Sequence, residues 1–155
     1  MAAVGGGYVP DLRSVGELVE QLTEGRRIRP PAPVTHWHLC ETEIATLDLD
    51  RFTAERFHRL RHSGLVGTTE DPAEALRWVF TRRAEALRHA TDPVAAARRR
   101  WSTPADWAES IRTTWWVALH CPSTPLGGPL TVREGWTVEI YAYPMSPSDC
   151  SGVHR

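Results

Sequence analysis

Apolar and polar positions alternate along this chain with two periods. Leu12, Val15, Leu18, Val19 and Leu22 recur at helical spacing, with the capping-box pair Ser14 and Glu17 near the start and Gly25 as a stop. Val34 to Cys40 alternates instead, placing Val34, His36, His38 and Cys40 on one strand face and Thr35, Trp37 and Leu39 on the other. Ile44 to Leu49 reads as a second strand. Arg51 to His62 reads as a helix with Phe52, Phe57 and Leu60 inward and Gly64 beyond its end. Three helix starts follow, each with a capping residue before a proline: Asp71-Pro72, Asp92-Pro93 and Thr103-Pro104. The first carries the stripe Leu76, Val79, Phe80, Ala84 and Leu87 to about His89. Thr113 to Cys121 is rich in β-branched and aromatic residues and reads as a strand, with a helix through Trp107, Ile111 and Trp115 as the alternative. Pro122 to Pro129 reads as a loop. Leu130 to Arg133, Glu134-Gly135 and Trp136 to Tyr143 read as a hairpin.

This order predicts an α+β fold in which N-terminal and central helices pack on a small, mainly antiparallel C-terminal sheet. A cone-like sheet around a cavity would suit the length. Residues 1–33 divide into a Gly-rich tail through Pro10, the short amphipathic helix and the Pro/Arg-rich connector RRIRPPAP. Residues 34–145 form one globular domain, and residues 146–155 form a tail.

Composition narrows the chemistry. All 18 basic residues among the 155 are arginine. Without lysine there is no phosphate loop of the Walker type, no kinase-like lysine and no amine nucleophile, because arginine stays charged. GC-rich coding would produce the same bias without selection on function. The net charge of -1 is that of an average globular protein. No apolar run approaches the length of a membrane span, and the N-terminus lacks a secretory pattern. Three cysteines in no paired spacing do not make a disulfide framework, so a soluble cytoplasmic protein with reduced thiols is the default expectation. Arg77 to Trp101 carries a net charge of +5. Three consecutive helical residues such as Arg98 to Arg100 do not share one face. A solvated helix face, or pairing with the acidic Glu41–Asp50 segment, is therefore expected over nucleic-acid binding.

Four groups of residues remain as candidate chemistry. His36, His38 and Cys40 share a strand face, and His58 and His62 share a helix face at i and i+4. Together they are a candidate set for a zinc-like transition metal. If residues 113–121 are a strand, His120 shares a face with Trp116 and Ala118, and Glu139 could approach it as the second half of an acid–base pair. Trp116 and Tyr141 would then be walls of a ligand pocket. The exclusion of lysine leaves neutral-pH proton transfer to histidine, cysteine, a perturbed carboxylate or the N-terminus.

The expected function is binding, with or without transformation, of a small organic ligand in an aromatic, His-containing pocket. One alternative is a non-enzymatic interaction module using exposed tryptophans and the N-terminal helix to dock a protein partner or a second copy. Another is a metalloprotein. A tryptophan turned into a cavity would favour the pocket, and one on an exposed patch would favour the module.

Overall fold

The computed structural model describes residues 8–46, 64–98, 101 and 103–148. Their order is α1 (Leu12–Thr23), β1 (His36–Ala45), β2 (Leu65–Thr69), α2 (Pro72–Arg88), α3 (Pro93–Arg98), α4 (Pro104–His120), β3 (Leu126–Arg133) and β4 (Trp136–Met145). The strands form one antiparallel sheet in the order β2-β1-β4-β3. The expected α+β fold is present, and its sheet draws strands from both sides of the α2–α4 run.

Local chemistry explains most of the boundaries. Asp11, not Ser14, caps α1: its carboxylate accepts the Ser14 N–H at 2.7 Å, and the Ser14 hydroxyl turns back to the Asp11 carbonyl. Glu17 pairs with Arg13 instead of closing a capping box. Glu24 and Gly25, at φ of 53° and 68°, end the helix. Asp71 and Thr103 cap α2 and α4 as their sequences predict, accepting from the N–H groups of Ala73 and Asp106.

Inside α1, Gly16 has nothing within 4 Å of an added Cβ. Gly16→Ala is therefore expected to stabilise the fold by about 0.5–1 kcal/mol, because alanine loses less backbone entropy. An unchanged or lower melting temperature would contradict this.

Residues 113–120 are helical, which corrects the strand expected there. Trp107, Ile111, Trp115 and Ala118 follow steps of four, four and three and are all buried. A capped helix that already buries Trp107 and Ile111 extends through Thr113 to Val117, and tertiary packing overrides their strand propensity. Trp115 is buried and Trp116 is 57% exposed, because consecutive helical side chains diverge by about 100°.

In the sheet, Ile44 and Ala45 belong to the single strand β1, while residues 47–50 lie outside the described residues. β2 forms where the sequence predicts no element, and β3 begins inside the expected loop. Pro129 is tolerated there because β3 is an edge strand. Gly127, at φ of 107°, lies so close to β4 that an added Cβ would stand 2.1 Å from the Ile140 carbonyl oxygen. Glu134-Gly135 forms the expected two-residue turn, with Gly135 at φ of 80°.

Alternation gives the sheet two unlike faces. Trp37, Leu39, Ile140, Ala142, Leu126 and Leu130 turn toward the helices and join Val79, Phe80, Trp107 and Ile111 in the main core. Val15 and Val19 of α1 are in the same core. The chain is tied down from Tyr8 onward, where the N–H donates to the Trp101 carbonyl at 2.9 Å, so the loose tail does not extend to Pro10 as expected. The opposite face carries a smaller cluster of Cys40, Tyr143 and Met145 with Tyr141 packed against it. No helix among the described residues is long and apolar enough to cross a membrane.

Candidate functional site

The sheet face turned away from the helices gathers the chemically versatile side chains. Strand register sets the arrangement: His36 opposes Met145, His38 opposes Tyr143, Cys40 opposes Tyr141 and Thr42 opposes Glu139. Two rows thus run antiparallel across the centre of the sheet. Glu139 is 1% exposed, and Cys40 is fully buried.

His36 and His38 face each other, with Nε2 atoms 3.2 Å apart and ring centroids 5.1 Å apart. A hydrogen bond between two imidazole nitrogens needs one N–H and one lone pair. The Thr35 hydroxyl lies 2.9 Å from His36 Nδ1 and 3.3 Å from the Met145 carbonyl oxygen. That carbonyl can only accept, so the hydroxyl can donate to it, and the direction of the two imidazole contacts follows the tautomers of His36 and His38. The Cys40 thiol points back to the His38 carbonyl at 3.8 Å. Opposite this row, Tyr141 and Tyr143 stack at 5.4 Å between centroids with 25° between ring planes. At one end of the face, a cavity of about 300 Å³ is lined by Pro33, Pro122, Pro125, Tyr143 and Met145.

The structure brings His36, His38, Cys40, Tyr141 and Glu139 onto one face, but His120 and Trp116 do not join them. His120 ends α4 exposed, its Nδ1 2.9 Å from the Trp116 carbonyl oxygen and its ring stacked on Trp116 at 4.7 Å. Glu139 lies on the sheet face away from α4, so the anticipated His120–Glu139 pair is not formed. Its premise, a strand at 113–121, put both groups in one sheet. The walls Trp116 and Tyr141 are separated for the same reason. His58 and His62 lie outside the described residues. Among the described residues no group of three or more His, Cys, Asp or Glu could hold a metal ion.

Tyr143 also joins this face, through a His–Tyr pairing across β1 and β4 that has no local signal in the sequence. Alternation placed Tyr143 beside Tyr141, but nothing in the sequence showed that β1 would be β4's neighbour. The expected pairing of arginine with the acidic segment occurs at Arg82, whose Nε and Nη2 donate to the two Glu41 oxygens at 2.7 and 2.9 Å. No protein-family model, curated protein or solved structure matches the chain.

Proposed function

We propose that the protein binds a small organic ligand against the sheet face bearing His36, His38, Tyr141 and Tyr143. The observation that supports this reading is the register of β1 on β4, which concentrates two imidazoles, two stacked phenols and a buried carboxylate on one face. Aromatic surface with a few fixed polar groups suits a flat, weakly polar molecule. Tyr141 and Tyr143 would supply the wall. The His36–His38 pair would supply an acceptor–donor relay able to orient a ligand hydroxyl or carbonyl, or to move a proton. This pair replaces His120 as the acid–base candidate.

The interaction-module reading has less support. Trp116 is exposed, as that reading requires, but single exposed apolar residues are ordinary on soluble proteins. The apolar face of α1 is already used in the core through Val15 and Val19.

A melting-temperature titration with indole, benzimidazole and adenine as probes tests the ligand reading. One of them is expected to raise the wild-type midpoint by roughly 5–10 °C at a hundredfold excess over its Kd. The shift should shrink in His38→Ala and Tyr143→Phe and persist in Trp116→Ala. Failure of all three probes, or a shift indifferent to His38 and Tyr143, would count against it.

One distance favours a second reading. Two nitrogen ligands on a tetrahedral zinc ion stand about 3.3 Å apart, close to the 3.2 Å between His36 Nε2 and His38 Nε2. Equilibrium dialysis against zinc should then retain one equivalent in the wild type and well under one in His36→Ala. Retention of well under one equivalent by the wild type removes the metal reading.

A further inference from the structure

A second recess lies on the opposite, helix-bearing side of the sheet. It occupies about 490 Å³ between the last turns of α2, strand β1 and the β3–β4 hairpin. Its floor is apolar, made by Ala86, Val132 and Val138. Its walls are charged: Glu41 and Glu43 stand two apart on β1, and Arg82 and Glu85 lie three apart on α2.

These charges are already organised. Glu41 receives both arms of the Arg82 fork, and Arg82 also donates to Glu85 through Nη1. The Glu41 hydrogen bonds hold the Arg82 guanidinium above its ordinary pKa against the opposing effect of burial. Arg133 donates to Glu43 at 3.0 Å while its guanidinium lies 5.0 Å from the Trp136 ring centroid.

Both guanidiniums are therefore committed to carboxylates. Three carboxylates against two arginines leave one negative charge in excess among these acidic and guanidinium groups, and His89 and Thr91 complete the lining. An anionic ligand would meet that excess and find the cationic forks occupied. A cation would be attracted by the excess charge and could share the carboxylate oxygens. The apolar floor favours a ligand with a hydrocarbon or aromatic body.

We propose that this recess is a binding site for a small organic monocation, an amine carried on an apolar body. It is separated by the sheet from His36 and Tyr143 and does not depend on the ligand reading for that face.

Isothermal titration of the full chain with tryptamine tests the proposal, with indole and indole-3-acetate as neutral and anionic counterparts. Tryptamine is expected to bind one equivalent with a sub-millimolar Kd and to weaken as salt rises. Glu85→Gln and Glu43→Gln, which keep shape and remove one charge each, should each weaken binding about tenfold. Trp116→Ala, which lies outside both sites, should leave it unchanged. Melting curves of the Gln variants establish that they fold, and Glu43 and Glu85 are independent replacements. The proposal is overturned if tryptamine shows no binding at millimolar concentration, if indole-3-acetate binds as well, or if folded Gln variants bind like the wild type.

Discussion

Replacing Gly127 with alanine is expected to be more damaging than the same change at Gly16, Gly25, Gly67, Gly128 or Gly135. The added Cβ would stand 2.1 Å from the Ile140 carbonyl oxygen and 3.1 Å from its carbon. Those are backbone atoms of the adjacent strand, so no side chain can turn aside. The residue also sits at φ of 107°, a conformation that L side chains rarely adopt. Relief requires β3 to lift from β4, which would disturb the packing of Leu126 and Leu130 on the core. The combined cost is about 4 kcal/mol or more, beyond the usual range for a point substitution. It should lower the melting temperature by roughly 10–15 °C or prevent soluble accumulation. Gly135→Ala is the internal comparison. Its φ is 80° but nothing lies within 4 Å of the new Cβ, so conformational strain alone applies, at about 1 kcal/mol. Equal melting temperatures for the two variants would show that the close approach is not what the fold depends on.

Trp107→Ala is the second large effect. Trp107 is 1% exposed and sits edge-on to both Phe80, at 5.1 Å, and Trp101, at 4.6 Å. Arg83 adds its guanidinium over the Phe80 and Trp101 rings. Truncation removes the shared member of two aromatic contacts and opens a cavity where α2 and α4 meet. The expected loss is about 3–5 kcal/mol, from lost transfer energy, cavity cost and ring contacts. Denaturant unfolding should show the lower midpoint with an unchanged slope. Trp107→Phe should cost much less. The indole N–H finds no acceptor among the described residues, so phenylalanine strands no partner. Trp116→Ala, at an exposed position, should change stability by less than about 1 kcal/mol. A Trp116 variant as damaging as Trp107→Ala would refute the assignment of their environments.

What the chain revealed in advance follows the range of the interactions involved. Asp71-Pro72 and Thr103-Pro104 announce α2 and α4 because caps and first-turn prolines act within four residues. Glu134-Gly135 announces the hairpin for the same reason. The alternation of His36, His38 and Cys40 survives in the structure because a strand face is a local property. Three features were not legible. Residues 113–120 combine strand propensity with a helical stripe, and only burial of Trp115 against the core decides between them. β2 is five residues long and contains a glycine, too short to show a period. The pairing of β1 with β4 joins residues about a hundred positions apart, and it creates the His–Tyr face. The site was therefore half visible: its rows could be read separately, and their adjacency could not.

Six of the seven tryptophans form two optical populations, and partly buried Trp78 stands between them. Trp37, Trp101, Trp107 and Trp115 are buried, whereas Trp116 and Trp136 are 57% and 41% exposed. A soluble quencher such as iodide will extinguish the red-shifted emission of the second pair and leave the blue-shifted emission of the core intact until the chain unfolds. The exposed pair therefore reports on the end of α4 and the start of β4, and the buried set on the core, in one molecule without added dyes.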